Sequence, residues 1–491
     1  MKKGEIAIGS IGMTKFPDKG YIEREDGRVL IKHAIPFQSV EYMVGRKKSG
    51  LAQGRVLRLV EKSRLEDNQD ICIHAGECGG CLYQSMGYEN QLWLKDRQMQ
   101  ELLLHLCKED FLWEGILPSP KTLGYRNKME FSFGDRCKGG ELSLGMHKRG
   151  SHYDIVSIKD CKIVHPDFNK ILSLTLEFFR ERGIPYFHKN TRAGLLRHLL
   201  IRRAEHSKEL LIDLVTTSSM GEIADPNRGD LPSASEREVE ALCGEWKERV
   251  LALEKAGELE GKIAGILHTL NNSYADAVID QGTSILYGRD YIFEKLLGLE
   301  FKISIFSFFQ TNSSGAERLY KKAGDYIGDT KDKSVYDLYS GTGTIAQLLA
   351  SVADRVYGIE IVPEAVQAAR DNAERNGIKN CEFIEGDVLK MIHTLPEKAD
   401  IVILDPPREG VHPKALQYIA GEIAPERMVY ISCKPSSLAR DLEELKEYGY
   451  EAVKGCAVDM FPYTPNVEVV VLLCRKDIDS HNIISIKKKI S

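Results

Sequence analysis

The sequence predicts an α/β chain whose C-terminal part is a doubly wound sheet preceded by smaller domains. Three observations carry this. From about residue 301, short apolar runs alternate with helical patterns, as strand–helix–strand units require. Those runs repeatedly end in residues with chemistry: Asp337, Glu360, Asp387, Asp405 and Cys433. Residues 1–65 instead pack short β-type runs between turn residues, which marks a separate small β domain.

Composition bounds the rest. A chain of 491 residues, 43% hydrophobic and 8% aromatic, can bury real cores, and its length suits about two to four domains. A net charge of -5 excludes a histone-like polycation. Nucleic-acid contact must then use local clusters such as Arg46-Lys47-Lys48, Arg202-Arg203 or Lys487–Lys489, each of which also reads as a solvated face. Met1-Lys2-Lys3 leads into no long apolar core. No apolar run approaches the roughly 20 residues of a membrane helix. Eleven cysteines, several clustered and without an export signal, point to metal binding or catalysis rather than disulfides. The expectation is a cytoplasmic, monomeric enzyme with no membrane partner.

In chain order, Gly4–Ile8, Gly20–Glu23, Val29–Ile31 and Val40–Val44 read as strands, with Asp26-Gly27 as a hairpin turn. Such strands over residues 1–65 suggest a small OB-like β-barrel, a fold that holds single-stranded nucleic acid or serves as plain scaffold. Cys72-x5-Cys78-Gly79-Gly80-Cys81 follows, then the helical pattern Tyr88–Leu106. Three cysteines this close form a metal-ligand knuckle, with Cys161 in KDCKIVHP the best fourth ligand. Thiolate count allows zinc or an iron–sulfur cluster.

Residues 66–300 read as a central α+β domain. Its strands are Tyr125–Phe133, Leu142–His147, Tyr153–Ile158, Leu196–Arg203, Leu210–Val215, Gly265–Asn271 and Thr283–Tyr287, interrupted by the helix Pro166–Arg182. The run Tyr125-Arg126-Asn127-Lys128 suits phosphate contacts or a solvated strand end. Residues 218–262, charged and helix-forming, read as a surface helical excursion.

Residues 301–491 carry the candidate site. Strand Ser334–Leu338 runs into Tyr339-Ser340-Gly341-Thr342-Gly343, a first βα turn where glycines let a ligand approach a helix N-terminus. Glu360 ends the next strand, where an acidic side chain holds a ribose diol. The turn lacks the full dinucleotide pattern of glycines, so S-adenosylmethionine fits better than a pyrophosphate cofactor, in a Rossmann-like methyltransferase domain. Asp405-Pro406-Pro407-Arg408 and Ser432-Cys433-Lys434-Pro435 end further strands at the same edge, and an antiparallel strand starting near Val467 brings Glu468 there. A thiol, a carboxylate and a methyl donor together suit methylation of a poorly nucleophilic pyrimidine carbon, with Cys433 adding to C6 of uracil and Glu468 removing the C5 proton.

With these residues in place, the chain resembles the RNA uracil-5-methyltransferase family, which acts on ribosomal and transfer RNA. The resemblance runs through C-x5-CGGC-xxQ, YRNKMEFSFG, DCKIVHP, FFQTN, DLYSGTGT, LDPPREG, SCKPSSLARDL and FPYTPNVEVVVLL. It implies a TRAM-type N-terminal domain and a [4Fe-4S] cluster on Cys72, Cys78, Cys81 and Cys161. It further implies donor contacts from Gln310, Tyr339, Glu360 and Asp405 alongside Gly341 and Asp387, with Cys433 as nucleophile and Glu468 as base. The implied partner is RNA, ribosomal (23S) before transfer RNA. An RNA cytosine-5-methyltransferase and a non-catalytic RNA-binding or folding protein are the alternatives. Lys434 stands where the family more often has Asn or Asp; this cation could favour the Cys433 thiolate or point to solvent. Asn466 stands where His is commoner.

Overall fold

A computed structural model describes residues 1–221, 235–328, 330–395 and 398–476. The Lys487–Lys489 cluster and part of the 218–262 segment lie outside these. Among the described residues no helix is long and apolar enough to cross a membrane. The chain divides into two compact units. One comprises Met1–Ile71, Leu82–Pro120 and Gly315–Ser491; the other comprises Cys72–Cys81 and Lys121–Ser314.

The first unit begins with five strands, Ile6–Ser10, Gly20–Arg24, Gly27–Ile31, Ser39–Lys48 and Leu51–Glu61. In space they run first, fourth, fifth, third, second. Gly27, at φ 129°, closes the tight Arg24–Gly27 hairpin that Asp26-Gly27 predicts. Alternation places Val29, Ile31, Val40, Tyr42 and Ala52 in one core and leaves Lys47 and Lys48 exposed.

The same unit holds an eight-stranded sheet. Its order is Cys381–Glu385, Arg355–Glu360, Ser334–Leu338, Ile401–Leu404, Arg427–Ser432, Glu468–Arg475, Tyr450–Val458, Leu112–Leu117. The first five strands are parallel, and Glu468–Arg475 runs against them. Ile401–Leu404 is buried throughout, because helices on both faces of a parallel sheet leave no polar side. The last strand comes from far upstream. Leu112–Leu117 pairs parallel with Tyr450–Val458, and Trp113 Nε1 donates to Asp96 on helix Tyr88–Leu103 at 2.8 Å. The expected boundaries therefore shift: residues 82–120 belong with the C-terminal sheet, not with a continuous 66–300 domain. A short edge strand completed by a partner more than 300 residues away leaves little local signal.

The second unit is built on a seven-stranded sheet ordered Thr283–Gly288, Lys262–Leu270, Glu209–Thr216, Leu196–Arg203, Lys128–Asp135, Leu142–His147, Ile155–Ser157. Two expectations change here. The described helix of the 218–262 segment, Ser235–Lys255, is not a surface excursion. Glu209–Thr216 and Lys262–Leu270 are parallel, so they need a crossover, and helix Ser235–Lys255 lies within it. Val239, Cys243, Trp246 and Val250, at helical spacing, are buried, with Trp246 Nε1 donating to Thr175 at 3.1 Å. Arg202 and Arg203 form no basic face either. Both are buried, Arg202 donating to the carbonyls of Ser304 and Ser307 and Arg203 lying beside Asp167. A strand inside a sheet buries both faces; the Arg202 guanidinium is hydrogen-bonded by chain carbonyls, and that of Arg203 lies 3.6 Å from the Asp167 carboxylate. The hairpin Tyr291–Leu296 and Leu299–Ser304 also belongs to this unit, so the C-terminal sheet's unit resumes at Gly315 rather than near 301.

Candidate active site

Ser334–Leu338 lies between Arg355–Glu360 and Ile401–Leu404, so strand order reverses at its C-terminal end. Open α/β sheets form their ligand crevice at such a switch point. There the chain turns through three left-handed residues, Tyr339 (φ 68°), Gly341 (φ 54°) and Gly343 (φ 71°). A Cβ on Gly343 would stand 2.5 Å from the Phe383 ring, so only glycine makes this turn.

Glu360 faces the turn from the neighbouring strand. Its Oε2 accepts from Gly341 N at 2.9 Å, and its Oε1 accepts from the amides of Ile361 and Val362 at 2.8 and 3.0 Å. Oε1 is thus filled by two amides, whereas Oε2 keeps a lone pair for a further donor. Asp387 caps the short helix Val388–Met391 by accepting from Leu389 N at 2.8 Å. The half-buried Tyr339 phenol is pushed up to about 12 by burial and then by the charges of Asp387 and Asp441.

Asp337 does not end its strand at the rim. It is fully buried, and its Oδ2 accepts from Ala346 N at 3.0 Å, which pins the helix after the glycine turn. Burial and then the Asp405 charge push it up to about 8. Asp337 Oδ1 and Ser340 Oγ are buried without a hydrogen-bond partner among the described residues. Polar atoms left open around a glycine turn fit a ligand carrying hydroxyl or amino groups.

Across the switch point stand the reactive groups. Asp405 follows Leu404, and Cys433 follows Ser432. Ser432 pairs with Val469 in the antiparallel register, which sets Cys433 opposite Glu468. Glu468 is 3% exposed, and burial, then the Asp405 charge, push it up to about 8 against the lowering pull of Arg408. Burial pushes Asp405 up to about 7. Cys433 rises to about 11 through burial, then Glu468 and Asp405, with Arg408 again opposing. Lys434 is exposed, and the cation whose charge lowers the Cys433 thiol is Arg408. Asn466 is exposed, and its amide donates to Thr464 Oγ1 at 3.2 Å.

Three residues that sequence reasoning did not single out hold this cluster. Helix Pro435–Glu447 starts directly after Lys434. Its Asp441 accepts from the Tyr430 hydroxyl at 2.6 Å and from Val411 N at 2.9 Å. Ser437 donates to the Arg408 carbonyl at 2.7 Å, and Arg440 to the Glu409 carbonyl at 2.8 Å. One helix thus fixes the Asp405–Val411 loop beside Cys433. The signal was the helical spacing of Ser437, Arg440 and Asp441 within SCKPSSLARDL.

Gln310 belongs to the other unit, where its carbonyl accepts from Asn127 Nδ2 at 3.0 Å. Asn127 also donates to Ser313 Oγ at 2.9 Å, so within the run Tyr125–Lys128 it is Asn127 that holds this segment. Cys72, Cys78, Cys81 and Cys161 share that second unit. Cys161 is pushed up to about 11 by burial, with the charges of Cys78 and Cys72 contributing. Gly80 N donates to Cys78 Sγ at 3.3 Å, and a Cβ on Gly79 would meet the His147 carbonyl at 2.9 Å, so the knuckle needs its glycine there. Among the described residues, no group of three or more His, Cys, Asp or Glu is gathered closely enough to hold a single metal ion.

A family model described as tRNA (uracil-5-)-methyltransferase matches residues 277–476. A Clostridium tetani protein named an uncharacterized RNA methyltransferase is 44% identical over 97% of this chain and 99% of its own length. A similarly named protein of Caldanaerobacter subterraneus subsp. tengcongensis is 43% identical over 96% of this chain and 99% of its own. The crystal structure of Pyrococcus abyssi tRNA (uracil-54, C5)-methyltransferase in complex with S-adenosyl-L-homocysteine covers 95% of this chain and 99% of that chain, with 26% identity and a TM-score of 0.70.

Proposed function

The chain belongs to the RNA uracil-5-methyltransferase family, and from that premise we propose that it methylates C5 of a specific uridine in RNA through a covalent bond from Cys433 to C6. The observation that carries this reading is the convergence of Cys433, Glu468 and Asp405 at one edge of one sheet, beside the glycine turn.

S-adenosylmethionine supplies the methyl group and a cationic sulfonium. The open polar atoms of Asp337 and Ser340, with the Glu360 carboxylate fixed at the turn, fit its amino acid and ribose groups. Tyr339, Gly341, Asp387 and Asp405 complete this candidate set, and Gln310 joins it by resemblance. Deprotonated Cys433 adds to C6, moving the C5–C6 electron pair toward the C4 carbonyl so that C5 becomes nucleophilic. Once C5 carries the methyl group, Glu468 removes its remaining proton, the C5–C6 double bond re-forms, and Cys433 leaves as thiolate. A carboxyl held near 8 is a far stronger base than an ordinary glutamate, which suits the abstraction of a carbon-bound proton.

The N-terminal sheet is read as the OB-like TRAM-type domain, a reading supported by its strand order of first, fourth, fifth, third, second. The four cysteines are read as the residues that would hold a [4Fe-4S] cluster, since four thiolates are the donor set such a cluster takes. Among RNAs, 23S ribosomal RNA is taken first on this domain set. Transfer RNA is the second reading, favoured by the names of the family model and of the Pyrococcus abyssi relative. Position-mapped mass spectrometry of both RNAs, with and without the protein, tests this. A new 5-methyluridine in either RNA supports the activity and names the target. A 5-methylcytidine, or no change in either RNA, would refute it.

A further inference from the structure

The base candidate Glu468 is the first residue of its strand, so its placement depends on the connection 459–467 that precedes it. That connection carries a strained residue, since Tyr463 sits at φ 65°, a conformation that persists only where its surroundings impose it. Helix Tyr88–Leu103 supplies the constraint. Lys95, with no side-chain exposure, reaches the equally buried Asp459 carboxylate at 2.7 Å and the Phe461 carbonyl at 3.1 Å. Gln91 accepts from Tyr463 N at 2.7 Å and anchors itself by donating to the Met86 carbonyl at 2.9 Å. The amides of Leu82 and Tyr83 both donate to the Tyr463 carbonyl at 2.9 Å. Both peptide groups of the strained residue are therefore tied to one upstream segment, and the ammonium bridges the start of the turn.

We propose that Lys95 and Gln91 are positioning residues for the proton-abstraction step, holding the 459–467 connection so that Glu468 faces the methylated C5. A buried ammonium with a carboxylate partner is costly to place and is poorly justified by stability alone, since packed apolar residues hold a core as well. Its value here is directional, because it fixes two points of a turn that ends at the base. The inference rests on Glu468 being that base.

The test compares Lys95→Met, Gln91→Met and the charge-balanced double variant Lys95→Met/Asp459→Asn with Glu468→Gln and the parent. Uridine-containing RNA is incubated with methyl-labelled S-adenosylmethionine, and covalent protein–RNA adduct is separated under denaturing conditions. Displacement of the base leaves thiol addition and methyl transfer intact and slows release, so labelled adduct accumulates although Cys433 and Glu468 are both present. A loss of release rate of roughly 10- to 100-fold is expected, the scale of a misplacement near 1 Å, with kcat and KM falling together so that kcat/KM for RNA and donor is unchanged. If Lys95→Met does not fold, Gln91→Met and the double variant carry the test. Parental release rates, or a turnover loss without adduct, would overturn the positioning role while Glu468→Gln still traps adduct. If Glu468→Gln itself traps none, the base reading fails first.

Discussion

Glu468→Gln should move activity and stability in opposite directions. Glu468 is 3% exposed and rises from an ordinary 4.5 to about 8. A group whose pKa is raised by folding favours the folded state while protonated, and that advantage is lost as pH climbs through its folded value. Full ionisation therefore costs about 5 kcal/mol of folding stability between pH 4 and pH 9, at 1.36 kcal/mol per tenfold change in proton affinity. Glutamine keeps the shape, carries no charge and avoids that loss. Urea unfolding of parent and variant should agree near pH 4 and diverge toward pH 9, with the variant more stable. The same change removes the base, and release of product should fall by about 10²- to 10⁴-fold. Donor labelled in its methyl group should then mark a covalent RNA adduct on ordinary uridine. Near-parental turnover would reduce Glu468 to a buried strand-start acid, with Asp405 the next candidate base. A stability gain that does not grow with pH would refute the assigned ionisation.

Other outcomes follow from the same geometry. Cys433→Ala should form no adduct, even with 5-fluorouridine RNA, while titration with S-adenosylmethionine still gives parental affinity. Parental kcat should rise with pH through about 8, because Glu468 must be ionised to act and its folded value, not 4.5, sets the limb; a limb below pH 6 would contradict this. Asp337→Asn keeps an oxygen for Ala346 N and removes a buried carboxyl held near 8, so thermal unfolding should lose part of its decline between pH 5 and pH 9. Anaerobically purified protein should carry about four iron and four sulfide, falling together in Cys78→Ser or Cys161→Ser. Stoichiometric zinc in their place would refute the cluster.

The gathering of Asp405, Cys433 and Glu468 at one sheet edge was legible in the sequence because strand ends announce themselves. Apolar runs stopping at Asp405 and Cys433, and one starting near Glu468, need only the rule that parallel strands share an edge. The glycine turn with Glu360 was legible for the same local reason. What the sequence could not decide is what long-range pairing decides. Nothing in Leu112–Leu117 tells that it completes a sheet with Tyr450–Val458, so the domain boundaries drawn from composition were displaced. Arg202-Arg203 looked like a surface cluster until the sheet buried it, and residues 218–262 looked like an excursion until two parallel strands required a crossover. Charge environment is tertiary as well. Lys434 neighbours Cys433 in sequence and is exposed, whereas burial, and then the charges of Glu468, Asp405 and Arg408 from two other segments, shift its ionisation. Local pattern chooses which residues stand at a strand end. Only the packed sheet decides which of them meet, because burial and Coulomb interaction depend on distance in space and not along the chain.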